Sequence, residues 1–382
     1  MPSTKSAQAA AHRTEQLPGL NIYRALAVIL MILAHAARVQ HPLPTGSLTS
    51  PFDWPFAASL QIEPIISAMF LFIAGFSLVL SRQASGETPT QWLRRLGGRM
   101  LTLYAISVLF FLADQGFQWP DLLVSSGVLG VIAAGVFSSG LILVSPRPWP
   151  VLGGLILAGL GITAWVDSQR LSIPGLNAGA GGMLPLLTLA WLGTLTGLVY
   201  KRWPGNGLFV LFGVSLLVGL VALAAPYPWI THPLTEIRTY PGDRIQQVLF
   251  SLQDLVGLYN GEPVRHSIRF WNHGWIFPLR ALPLLMVGLI LFLGLMRQLR
   301  NPVQRFLDWM GRQALNLYIL HLILLAGVEV GPWQPSAGWQ TLALVAGIVA
   351  ASPWILRYLS FVPFRLGVVK SNKKPRRSGA VG

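Results

Sequence analysis

The chain has 382 residues, 53% of them hydrophobic and only 11% charged, with a mean hydropathy of +0.57. Soluble domains carry roughly a quarter charged residues, so a water-facing globular protein is excluded and lipid is the expected surroundings. The net charge of +15 then reports membrane orientation rather than a nucleic-acid partner, and the absence of cysteine excludes thiolate nucleophiles, disulfides and cysteine-containing metal sites.

Apolar runs of about 20 residues predict helices over 21–39, 61–81, 97–113, 121–144, 149–165, 183–200, 207–225, 276–297, 312–330 and 338–357. The expected fold is an all-α polytopic transmembrane bundle of about ten helices over 21–357, between a polar tail at 1–20 and a basic tail at 358–382. With the N-terminus in the cytoplasm, twenty Lys and Arg fall on the cytoplasmic side and seven outside, with Arg24 inside the first span. That bias predicts cytoplasmic N- and C-termini. It also sets the basic run from Lys370 to Arg377 against anionic headgroups. No internal repeat is visible, and a bacterial inner membrane is the expected location.

The connections are short except for an outer loop at 226–275. After Pro241-Gly242-Asp243, the apolar residues Ile245, Val248, Leu249, Leu252, Leu255 and Val256 recur at helical spacing, which predicts an amphipathic helix. His266, Arg269, Trp271, His273 and Trp275 follow. They fit an aromatic interfacial belt or a polar lid over an acceptor site.

Titratable groups within spans are costly and mark function by default. Arg24 and His35 are 11 residues apart, which in a helix is about three turns and about 16.5 Å of rise, so they share a face of the first span. Arg24 also has a snorkelling reading, and His35 that of a polar interhelical contact. Lys5, Arg13, the apolar stretch and Ala34-His35-Ala36 further resemble a signal peptide with its cleavage site. Glu63 opens the predicted second span on the His35 side, where it either orients that imidazole or sits in a helix dipole. Arg94, Arg95 and Arg99 crowd the start of the third span, as a topology signal or as a site for a multiply phosphorylated ligand. In the ninth, Gly311, Asn316, Tyr318 and His321 form a polar set in a Leu-rich stretch. A phosphate-binding loop, a histidine pair at metal spacing and a nucleophile elbow are all missing, and no metal is expected.

These residues bring the chain close to a known family. Arg24, ten intervening residues and His35 resemble the signature of the integral-membrane acyltransferases, the superfamily of type-3 O-acyltransferases and heparan-alpha-glucosaminide N-acetyltransferases. MFLFIAGFSLVLS (69–81), WLRRLGGRML (92–101) and GRQALNLYILH (311–321) are similar to the family's second, third and late helices. DLLVSSGVLGVIAAG (121–135) and MLPLLTLAWLGTLTG (183–197) lean toward the heparan-acetyltransferase branch. Asn21, Ala25 and Ala314 stand where the family often has Asp, Gly and Ser.

The resemblance implies transfer of an acetyl or other short acyl group from cytosolic acyl-CoA to a hydroxyl or amine of a glycan or small-molecule acceptor on the outer side. His35 would be general base or nucleophile, with Glu63 beside it. Arg24, Arg94, Arg95, Arg99, Tyr318 and His321 would bind the acyl-CoA. The 16.5 Å between Arg24 and His35 is about the reach of a pantetheine arm, which predicts one hollow lined by both. The rival is a transporter or flippase in which Arg24 and His35 line the path, a class expected to show repeated halves and broken helix pairs. Whether the chain forms a homodimer stays open.

Overall fold

The computed structural model describes residues 17–40, 51–171, 173–179, 182–224, 235–239, 246, 253, 264–268, 274–295, 301–331 and 333–359. The chain runs through α1 (Pro18–Val39), α2 (Trp54–Ala84), α3 (Pro89–Gln115), the single turn α4 (Asp121–Val124), α5 (Val128–Val144), α6 (Pro148–Ser168), α7 (Met183–Arg202) and α8 (Asn206–Ala224). It continues through β1 (Thr235–Thr239), β2 (Val264–Ile268), α9 (Ile276–Leu295), α10 (Pro302–Arg312), α11 (Ala314–Val330) and α12 (Gly338–Leu359). Proline opens α1, α2, α3, α6 and α10, where its missing N–H has no helical partner to lose. Thr88 and Asn301 cap α3 and α10 by accepting from the backbone N–H of Gln91 and Gln304. Gly116, at a φ of 71°, ends α3.

Eight of these helices are long and apolar enough to cross a membrane, and the 17-residue α5 is a shorter apolar helix. An all-α polytopic bundle is the architecture, and the chain is an integral membrane protein. Its centre is α1, α2 and α7, whose most apolar stretches are 67%, 61% and 72% buried, against 22% for α3 and α12; the latter form the lipid-facing rim.

The backbones of α2 and α7 cross closely. A Cβ at Gly75 would meet the carbonyl of Ala190, one at Gly193 the carbonyl of Phe72, and one at Gly197 that of Phe76. Small residues of this kind let helix backbones approach in lipid, where no hydrophobic force drives them together.

Several boundaries differ from expectation. The second span begins at Trp54 rather than 61, so Glu63 lies nine residues inside a continuous helix beside the internal Pro64; residues 54–60 are less apolar and escape a hydropathy window. The third span begins at Pro89, which puts Arg94, Arg95 and Arg99 in its first three turns. The fourth divides at Gly127, whose φ of 95° no L residue adopts readily.

The ninth span is broken at Gln313, with α10 and α11 bent by 82°. Gly311 therefore belongs to α10, where its Cα lies against the Asn21 backbone. This is a broken pair of the kind the sequence did not reveal. Polar and charged residues alternate with Phe306, Leu307, Trp309 and Met310 along α10, which marks an interfacial helix. In the long loop, β1 and β2 pair antiparallel from Thr235↔Ile268 to Thr239↔Val264, a ribbon absent from the expected fold. The amphipathic stretch predicted after Asp243 lies almost wholly outside the described residues.

Candidate active site

The unbroken α1 carries Arg24 near one end and His35 near the other, and each has polar company. At the His35 end, His35 Nδ1 lies 2.8 Å from His321 Nε2 of α11, with the two rings stacked at 5.1 Å. Tyr318, one turn earlier on α11, meets both imidazoles edge-on, at 6.2 and 5.2 Å. On the other side of His35, Nε2 is 3.9 Å from Glu63 Oε1 of α2. Arg38, one turn on from His35, holds the second Glu63 oxygen at 2.6 Å. Glu63 Oε1 is buried and accepts no hydrogen bond.

The hydrogen-bond network fixes the tautomers. His321 Nδ1 is 3.0 Å from the Leu317 carbonyl oxygen; a carbonyl only accepts, so this nitrogen carries the proton. In neutral His321, Nε2 is then an acceptor, and His35 Nδ1–H must be the donor to it. His35 Nε2 is left with a free lone pair, 3.9 Å from a bare carboxylate oxygen. That gap is too long for a hydrogen bond. A proton taken up by Nε2 would sit against the Glu63 carboxylate, whose other oxygen is in charge-assisted contact with Arg38.

His321 is thus a positioning group for His35. Replacing it with leucine removes the acceptor for His35 Nδ1–H, so the imidazole loses its fixed tautomer. The expected result is a fall in turnover of about 10- to 100-fold with KM little changed, measured by steady-state kinetics; equal losses in both constants would give His321 a different role.

A cavity of about 480 Å³ opens from this cluster. His35 and Arg38 form its floor and Tyr318 part of its side. Ser107 of α3 and Ser126, just before α5, lie in its back wall, where Ser107 donates to the Ser126 carbonyl at 2.7 Å and accepts from the Gly130 N–H at 2.9 Å. Asp114 and Glu329 stand at the same end of the bundle. Neither Arg24 nor the three α3 arginines lines this cavity, so the hollow reaching His35 is not the shared one expected from sequence.

Arg24 lies in a separate network. Its Nη1 donates to Asn21 Oδ1 at 2.9 Å, Asn21 Nδ2 donates to Asp308 Oδ1 at 2.8 Å, and Arg312 pairs with Asp308 Oδ2 at 2.7 Å. Through Asn21, Arg24 is linked to the buried carboxylate of Asp308. Of the α3 arginines, Arg95 is paired with Glu87 at 2.9 Å while Arg94 and Arg99 are exposed; α3 packs on α5 and not closely on α1.

Sequence reasoning brought Arg24, His35, Glu63, Tyr318 and His321 to notice but missed Arg38 and Asp308. The i, i+3 step from His35 to Arg38 and the i, i+4 step from Asp308 to Arg312 were the available signals. Among the described residues, no group of three or more His, Asp or Glu is arranged to hold a metal ion.

Residues 17–203 match the family described as heparan-alpha-glucosaminide N-acetyltransferase, catalytic. The matched segment contains Arg24, His35, Arg38 and Glu63. The chain is also 33% identical over 108 residues to a putative manganese efflux pump, MntP, of Desulforudis audaxviator (strain MP104C), an alignment covering 25% of this chain and 59% of that protein.

Proposed function

We propose, from the match of residues 17–203 to an acetyltransferase catalytic domain, that this chain is a membrane acyltransferase moving an acetyl or other short acyl group from acyl-CoA to a hydroxyl or amine. The observation that carries the reading is the His35 Nε2 lone pair on the cavity floor, facing the unpartnered Glu63 oxygen. In the direct mechanism, Nε2 takes the proton of the acceptor O–H or N–H as that atom attacks the thioester carbon. The C–S bond then breaks, the new C–O or C–N bond remains, and the proton passes from His35 to the departing thiolate to give free CoA. The alternative passes the acyl group briefly through His35 itself.

Acyl-CoA comes from the cytosolic side, which the charge bias puts at the Arg24 end. Arg24 and Arg312 stand at that end of α1, joined through Asn21 and Asp308, and suit the donor's phosphates, with Arg94 and Arg99 as further cations. The acceptor, a glycan or related polyol, comes from the opposite side through the cavity over His35.

A transport reading has two supports, the partial match to a putative efflux pump and the broken α10–α11 pair. The test reconstitutes the purified protein in lipid vesicles with labelled acetyl-CoA and a panel of sugars. His35-dependent appearance of label on an acceptor is the expected result. Manganese flux across the same vesicles, without transfer, would overturn the proposal in favour of transport.

A further inference from the structure

The walls of the cavity bear on the acceptor's class. On α3, Ser107, Phe110, Phe111 and Asp114 fall at i, i+3, i+4 and i+7, one face of the helix, and they line one side. The opposite side is the α11 face from Tyr318 through Leu322 to Glu329. These helices are held by different partners, α3 by α5 and α11 by α1 and α12, so the space between them is a cleft. Ile323 lines it while being 50% exposed, and Leu109, on the adjoining surface of α3, is 64% exposed. In a membrane bundle such residues face acyl chains, and the cleft is therefore open sideways to lipid as well as upward past Asp114 and Glu329. Its chemistry is graded, from a polar floor through an apolar side wall to an acidic brim.

We infer that the acceptor is an amphiphile, a sugar or similar polar head joined to a hydrocarbon chain that resides in the membrane. The head lies over His35 with its hydroxyl or amine at Nε2, and the chain leaves past Phe110 and Ile323 into the bilayer. A free sugar would find the polar floor but leave the apolar flank of the cleft unfilled. This rests on the acyltransferase reading, and the experiment keeps the two apart.

Protein in nanodiscs is given labelled acetyl-CoA with glucose, galactose or glucosamine, each either free or as its dodecyl glycoside below the micellar concentration. The tailed form is expected to exceed its free counterpart at least 10-fold in kcat/KM, and Ile323→Glu to remove that advantage. A dodecyl glycoside bearing a photoreactive diazirine at the chain terminus should crosslink within 107–115 or 318–329. Equal rates for free and tailed sugars, or crosslinks confined to other segments, would overturn the amphiphile while leaving the transferase intact. If no acetyl-CoA is consumed in a His35-dependent way, the parent reading fails and the inference with it.

Discussion

Replacing His35 by glutamine is expected to reduce acyl transfer about 10³-fold or more, with the protein still folded. General acid–base catalysis by a placed side chain contributes roughly 10²–10⁴-fold. His35 has no substitute among its neighbours: His321 has its Nδ1–H committed to Leu317 and its Nε2 committed to His35. Glutamine fills much of the same volume and retains an amide N–H that can reach His321, so the α1–α11 contact survives. What it lacks is a basic nitrogen facing Glu63. Transfer of label from acetyl-CoA, normalised to protein that elutes as a single species, measures the loss. A variant retaining more than a tenth of wild-type turnover would remove His35 from the proton path.

The second large effect concerns the fold rather than the chemistry. At Gly193 a Cβ would overlap the carbonyl oxygen, carbon and Cα of Phe72, all backbone atoms of α2. Rotamer changes cannot relieve that, so Gly193→Leu must force α2 and α7 apart along their whole crossing. Overpacking of a core costs roughly 1–3 kcal/mol where side chains can move, and here the cost is at or above the top of that range. For a chain of 382 residues the melting temperature in detergent is expected to fall by about 4 °C or more. Gly213→Leu is the control, since a Cβ there meets nothing within 4 Å and the helix propensity of leucine exceeds that of glycine. Unchanged melting for the Gly193 variant would mean that the α2–α7 crossing is looser than described.

Much of this molecule could be read from the order of its residues. A transmembrane span needs only a long apolar run, and among the described residues each predicted run falls on helix apart from the breaks at 125–127 and Gln313. Arg24 and His35 were placed on one face because a single helical period relates them, and the continuous α1 keeps that relation. Contacts between helices follow no such local rule. Glu63 meets Arg38 across 25 residues, and His35 meets His321 across 286; only the packing of α1 against α2 and α11 brings them together. The bend at Gln313 was hidden for a different reason: the predicted run began at 312, and Arg305, Asp308 and Arg312 make α10 too polar to register as an apolar stretch. Gly127 concealed the start of α5 as a small residue that hydropathy does not register but whose φ interrupts the helix. The cavity was beyond sequence altogether, being lined by helices that are distant in the chain.

The α10–α11 elbow is fastened to α1 at two heights, by Asp308 on Asn21 and by His321 on His35. Fourteen residues of α1 separate the two rivets, about 21 Å of straight rod, while the elbow covers the same span with an 82° corner in it. The two fastenings therefore sit on the two arms of one bent element, one on each side of the corner. Whatever displaces the Asp308 end of the elbow is expected to be felt at the His35–His321 pair.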